Sequence, residues 1–255
     1  MKVYLVEGLI GDSISCLEFL KHIRNTYGSV EFGPGFNKWV FDGLQLDKSY
    51  TFNENLTKEE ADFCISCSNS WQWCYSKQRC HMSEGHFYYN NITPPSLPYS
   101  FPFLQNECNL DKGIVFAPFS RTDDNGSKFW NLNNWLALAK NLPKPIYVLG
   151  SSTHDDMSIL DNQEGVIKLF DQDCKSVVSL LKSCKMLVSI DTGISHLAHY
   201  LGMKNHVLLY PIVSMQKFAN NPNTVYEVYD WPKNVSVDRM LEMCNKALNF
   251  GEQNE

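Results

Sequence analysis

Residues 186–202, MLVSIDTGISHLAHYLG, constrain this chain more than any other stretch. They open with an apolar run holding Val188 and Ile190, which reads as a buried strand. A sharp polar turn comes next, Asp191-Thr192-Gly193. Beyond it Ile194, Leu197, Ala198 and Leu201 fall at helical spacing, with Gly202 as a stop. Asp191, Thr192 and Gly193 are therefore expected where a strand ends and a helix begins. In an open α/β sheet that position attracts anions, because free backbone N–H groups and the helix dipole converge on it. Gly193 permits close backbone approach, while Thr192 and Ser195 add hydroxyl donors. A plain helix cap, with His196 as a packed residue, accounts for only part of this pattern.

The chain begins with the same arrangement. Residues 3–6 are apolar, EGLIGD comes after them, and Leu17, Phe19, Leu20 and Ile23 continue a helical pattern to a stop near Gly28. Gly8 and Gly11 are expected to form a tight turn, with Asp12 and Ser13 at the helix N-terminus. Next come a strand at 29–32, a turn at Gly33-Pro34-Gly35, a short helix from Trp39 and a strand at 50–52. Thr57 and Glu60 have capping-box spacing, and residues 63–67 read as a strand. From Ser70 to Phe103 aromatics (Trp71, Trp73, Tyr75, Phe87, Tyr88, Tyr89, Tyr99, Phe101, Phe103) alternate with prolines and with Lys77, Arg79, His81 and His86. This segment is expected to be a loop-rich connector and satellite core. The sharper reading is an acceptor surface, since aromatics stack on sugars or bases and basic groups meet phosphates.

After Asn109 the alternation becomes regular. Strands are expected at 113–118, 145–151, 165–170, 186–190 and 207–211, and helices at 135–142, 176–181, 193–201 and 237–248. This is the pattern of a doubly wound parallel sheet. The organisation expected is a reduced N-terminal α/β domain over 1–109 and a second domain over 110–255. The final helix is free to pack back on the first domain.

Composition narrows the function classes. A net charge of −6 argues against a surface that coats nucleic acid generally. No apolar run reaches membrane-spanning length, and the N-terminus flows directly into a strand, so a cytoplasmic location is expected. Nine scattered cysteines then read as free thiols. Cys64, Cys67, Cys74, Cys80, His81 and His86 include a Cys-x-x-Cys pair with zinc spacing. The competing reading makes Cys64 and Cys67 small apolar fillers of a strand. Asp123-Asp124 and Asp155-Asp156 read as solvated loop pairs.

Two motifs carry a resemblance. SIDTGISHLAHYLG, together with GLIGDS after the first strand, resembles glycosyltransferase family nine, which includes the lipopolysaccharide heptosyltransferases. The resemblance implies a GT-B-like α/β fold, with two Rossmann-like domains facing a cleft. It implies transfer of a sugar from a nucleotide-diphosphate sugar to an acceptor hydroxyl, with inversion and without a metal or other cofactor. Asp12 then corresponds to the catalytic base, with Gly11 and Ser13 beside it in the turn. Asp191, Thr192, Gly193 and His196 correspond to the diphosphate site. Ser120 supplies a hydroxyl, and Lys128, with Arg121 as second candidate, supplies the cation that stabilises the leaving diphosphate. Phe170 and Asp171 fall where the family contacts base and ribose. Asn131 stands where the family has proline, and the first half is shorter than a heptosyltransferase's. The acceptor implied is a saccharide such as a lipopolysaccharide core. The short first domain and the aromatic-basic segment admit instead a virus-type enzyme acting on a hydroxymethylated base in DNA. A binding module that lost the chemistry is the non-enzymatic alternative, and the presence of Asp12 counts against it. The motifs leave the nucleobase and the oligomeric state open.

Overall fold

The computed structural model describes residues 1–6, 8–73, 82–96, 99–121, 128–153, 155–210, 226–229 and 232–252. These divide into two compact units, one from the described residues of Met1–Leu104 and the other from Gln105 onward.

The first unit is built on β1 (Lys2–Leu5), β2 (Val30–Pro34), β3 (Tyr50–Phe52) and β4 (Phe63–Ile65), in the spatial order β3-β2-β1-β4 and all parallel. β1 leads into α1 (Ile10–Ser15) and α2 (Leu17–Tyr27), which meet at Cys16. Gly28 closes α2 at φ 83°, a left-handed cap that glycine adopts without strain. Leu17, Phe19, Leu20 and Ile23 lie on the buried face of α2, where Phe19 meets Phe63 and Phe87 edge-on at 5.6 and 5.2 Å. α3 (Lys38–Asp42) comes after β2. Thr57 and Glu60 do make their side-chain contact, Thr57 N–H to Glu60 Oε2 at 3.1 Å, but it closes a turn and no helix grows from it.

Residues 63–103 differ from the sequence expectation. β4 stops at Ile65, and Cys67 opens α4 (Cys67–Trp73) instead of ending a strand. α5 (Met82–Tyr89) then packs against α4, so the segment contains helices where loops were expected. Tyr75, Lys77, Arg79 and Pro98 lie outside the described residues. Phe87, Tyr99, Phe101 and Phe103 are buried in the first unit, and Leu104 N–H donates to the Gly43 carbonyl at 2.8 Å. These four aromatics are core rather than platforms for a base.

The second unit holds β5 (Ile114–Ala117), β6 (Ile146–Gly150), β7 (Val166–Phe170), β8 (Met186–Ile190), β9 (His206–Tyr210) and β10 (Tyr226–Tyr229). They form one parallel sheet in the order β10-β9-β8-β5-β6-β7. α6 (Leu132–Asn141), α7 (Cys174–Ser183), α8 (Gly193–Tyr200) and α9 (Val237–Glu252) complete the unit. β5, β8 and β9 are buried along their whole length, as expected of strands covered on both faces. The core gathers Phe116, Trp130, Trp135, Leu138, Val148, Val188 and Leu209. α9 adds Met240, Cys244 and Ala247 to this same core. β10 is not among the strands expected from the sequence.

Close backbone approach sets one sharp requirement in the first unit. A Cβ on Gly35 would lie 2.2 Å from the Leu5 carbonyl oxygen, and one on Gly8 would lie 2.8 Å from the Gly35 oxygen. The turns after β1 and β2 therefore touch through bare backbone. Gly35→Ala is expected to destabilise the protein by roughly 2 kcal/mol through forced separation of these turns. Urea denaturation monitored by circular dichroism measures it.

Candidate functional site

Each sheet reverses its winding once. In the second unit β6 and β7 extend one way from β5 while β8, β9 and β10 extend the other. The loops leaving the carboxyl ends of β5 and β8 thus part and open a crevice, the place where doubly wound sheets bind ligands. Asp191, Thr192 and Gly193 leave β8 there, and Pro118, Phe119, Ser120 and Arg121 leave β5.

Asp191 is 1% exposed at the end of β8. A carboxylate that deep costs several kcal/mol unless a cation compensates it. Lys128 Nζ does so, 2.9 Å from Asp191 Oδ2, and His196 Nε2 lies 3.9 Å from Oδ1. Trp130 anchors the chain that carries Lys128. It is fully buried, stacks edge-on against Trp135 at 5.1 Å and donates its indole N–H to the Val235 carbonyl at 2.9 Å.

Thr192 is the extended residue capping α8, and its N–H donates to Ser195 Oγ at 3.2 Å. The Ser195 hydroxyl donates to the Thr192 carbonyl at 2.6 Å and is fully buried, so it completes the cap and faces no ligand. Thr192 and Gly193 are half-buried at the helix mouth.

β7 ends beside this crevice's β5 wall. Phe170 meets Phe119 edge-on at 6.4 Å, and Lys168 Nζ lies 5.7 Å from the Phe170 ring centre. Asp171, left-handed at φ 55°, accepts the Ser152 N–H at 3.1 Å. That hydrogen bond lowers its carboxyl below the usual range. Asp155 accepts the Ser151 N–H and Asp156 the Ser158 N–H, so both act as loop caps. Asp123 and Asp124 lie outside the described residues.

The first unit repeats the topology: β2 and β3 lie to one side of β1 and β4 to the other. Asp12 sits in α1 just past β1, half-buried, with the fully buried Ser13 and Ser15 after it. Ser13 Oγ accepts the Asn37 N–H at 2.8 Å, and Asn37 Nδ2 donates to the Gly8 carbonyl at 2.9 Å. Ser13 is thus a clamp point inside the fold, not a turn residue facing a ligand, and Gly11 lies within α1, not in a tight turn. Asn37 also caps α3 by accepting the Trp39 N–H. Sequence reasoning missed it because its partners are 24 and 29 residues away.

The model of glycosyltransferase family 9 (heptosyltransferase) matches residues 88–235, more than half of the chain. This chain belongs to that family. No curated protein sequence matches it. Solved structures agree on the fold at low identity. Heptosyltransferase II of E. coli is 14% identical with a TM-score of 0.63, over 98% of this chain and 99% of that one. E. coli heptosyltransferase WaaC with ADP is 12% identical with a TM-score of 0.64, over 99% and 100%. The iron-containing dodecameric glycosyltransferase TibC of enterotoxigenic E. coli is 11% identical with a TM-score of 0.70, over 99% and 76%.

The chain is thus a glycosyltransferase with a GT-B-like fold built on two parallel sheets. The matched span contains Ser120, Arg121, Lys128, Phe170, Asp171, Asp191, Thr192, Gly193 and His196; Asp12 lies ahead of it. Among the described residues no group of three or more His, Cys, Asp or Glu is placed to hold a metal ion. Of the cysteine-histidine cluster, Cys74, Cys80 and His81 lie outside the described residues, and both ring nitrogens of His86 are within hydrogen-bond distance of serines. Among the described residues no helix is long and apolar enough to cross a membrane.

Two tests probe the frame around Asp191. Lys128→Met removes the cation nearest a buried carboxylate and is expected to cost roughly 3 kcal/mol. Adding Asp191→Asn should recover part of that loss, giving a non-additivity of about 1 kcal/mol or more in denaturant melts. Beneath the site, His206 Nε2 and Ser189 Oγ are 2.7 Å apart and fully buried, joining β9 to β8. Burial pushes the His206 imidazole from 6.5 down to about 3. The unfolded chain therefore binds the extra proton first. His206 contributes its full stability above pH 6.5, and this falls as pH drops toward 3, with a slope of about 1.4 kcal/mol per unit. Stability measured from pH 7 to 4 should fall less steeply in His206→Asn.

Proposed function

We propose that this glycosyltransferase transfers a sugar from a nucleoside-diphosphate sugar to a saccharide hydroxyl with inversion and without a metal. The observation that carries the reading is the buried Lys128–Asp191 pair beside the N-terminus of α8, at the switch point of the second sheet. An anionic diphosphate suits that place: a fixed cation, the Thr192 hydroxyl and the helix dipole all favour negative charge.

The step divides between two sets of residues. Asp12 takes the proton from the acceptor hydroxyl. The acceptor oxygen bonds to the anomeric carbon on the face opposite the diphosphate, and the bond to the diphosphate oxygen breaks. The nucleoside diphosphate leaves with the electron pair. Lys128, the Thr192 and Gly193 backbone and Ser120 stabilise the growing charge, with Arg121 beside them. His196 keeps Asp191 oriented, and Phe170 and Asp171 lie toward the base and ribose.

ADP-heptose is the donor to test first, since TibC was solved with ADP-D-β-D-heptose and WaaC with ADP. A lipopolysaccharide-core saccharide is the acceptor favoured by the name of heptosyltransferase II. We place the reaction in the cytoplasm; the cysteines of the described residues are free thiols, which suits a reducing compartment.

A thermal-shift series with ADP, UDP, GDP and ADP-heptose tests the donor site. One nucleotide should raise the melting temperature selectively, and Lys128→Ala and Asp191→Ala should reduce that shift. Absence of any shift in the wild type would remove the donor-site reading. Asp12→Asn should keep the shift while slowing sugar transfer by about 10²–10⁴-fold.

A further inference from the structure

Behind Asp12 the first unit buries a polar relay that the reaction itself does not use. His86, on α5, is fully buried between two serines that are also fully buried. Its Nε2 is 2.9 Å from Ser15 Oγ on α1, and its Nδ1 is 2.8 Å from Ser70 Oγ on α4. The Ser15 hydroxyl donates to the Asp12 carbonyl at 2.7 Å. A hydroxyl has one hydrogen, so Ser15 receives its bond from His86 Nε2–H. In the neutral ring Nδ1 then accepts from the Ser70 hydroxyl. The direction runs Ser70 to His86 to Ser15 to the Asp12 carbonyl.

α1 needs this support. It has six residues, too short to be stable alone, and no side chain caps its N-terminus at Leu9. Ser13 on the Asn37 N–H and Ser15 on His86 hold the turn that bears Asp12 from behind, and Cys67 Sγ of α4 also donates to the Asp12 carbonyl at 3.8 Å. The first ties α1 to the turn after β2; the second ties it to α4 and α5, on the β4 side. Removing the imidazole would take the His86 partner from two buried hydroxyls, Ser70 and Ser15, and cut the tie from the last turn of α1 to α5.

We propose that His86, acting through Ser15, is a positioning residue that fixes where Asp12 presents its carboxylate. This rests on the reading of Asp12 as the base. A misplacement of about 1 Å at a reacting group costs on the order of a hundredfold in rate, so the relay has a kinetic signature separate from stability.

The test compares full-length wild type, His86→Phe, His86→Gln and Asp12→Asn, with ADP release from ADP-heptose in the presence of a lipopolysaccharide-core saccharide. Carboxyl-carbon NMR of aspartate-labelled protein runs in parallel, Asp12→Asn assigning the Asp12 signal. His86→Phe should lower kcat by about tenfold to a hundredfold, leave the KM for ADP-heptose unchanged, and shift or broaden the Asp12 signal. Glutamine can still donate to Ser15, so His86→Gln should restore both. An unchanged Asp12 signal in a folded His86→Phe overturns the proposal, whatever happens to kcat, and decides the matter alone if this saccharide is not turned over. Wild-type kcat in Asp12→Asn instead removes the reading of Asp12 as the base, and with it the reason for the relay.

Discussion

A carboxylate at the foot of a sheet crevice must have a cation beside it, and the local architecture of the second unit serves that pairing. β8 delivers Asp191 almost out of reach of solvent, and the chain that leaves β5 returns with Lys128 to meet it. The lysine cannot drift, because Trp130 is locked into the core two residues later and hydrogen-bonded to Val235. The pair thus fastens the β5 loop to the β8 end at the point where the sheet's winding reverses. α8 starts immediately after, so Asp191 and the helix mouth come from one continuous turn of chain.

The first unit solves the corresponding problem by different means. Its acid is half-exposed, so water shares in solvating the charge, but the helix that bears it is short and has no side-chain cap. Buried hydroxyl and imidazole groups hold that helix from behind, and glycines allow the neighbouring turns to touch. Electrostatic compensation sets Asp191, whereas backbone packing and neutral hydrogen bonds set Asp12.

How much of this was legible in the sequence depends on how local each signal is. Strand, turn and helix sit within seventeen residues at 186–202, so β8, the turn and α8 were readable there. The alternation from Gly113 onward was equally plain, since buried parallel strands are short apolar runs. Lys128 was named only through the resemblance, and its pairing with Asp191 spans 63 positions, so no local pattern carries it. Asn37 carried no site signal for the same reason, and His86 was read only within a cysteine-histidine cluster and an aromatic-basic segment, since its partner Ser15 lies 71 residues away. Cys67 misled because an apolar, cysteine-containing run suits a strand and the first turn of a buried helix alike. β10 was overlooked although Tyr226, Val228 and Tyr229 suit a strand and Pro222 and Pro232 flank it, because four residues make a weak signal until β9 is there to pair with them.

The Lys128–Asp191 pair also decides the range of the site's pull. A lone lysine attracts an anion with an energy that falls as the inverse of distance. Here the charge comes with a carboxylate 2.9 Å away, so from further off the two look like a dipole whose field decays much faster. Mobile salt shortens the reach again. A phosphate group in contact with Lys128 feels the near charge; one that has moved off by a few water layers feels almost none. For the proposed nucleoside-diphosphate donor this means a site that grips at contact and lets go cleanly, a useful property where the leaving anion that the site stabilises is also the product that must depart.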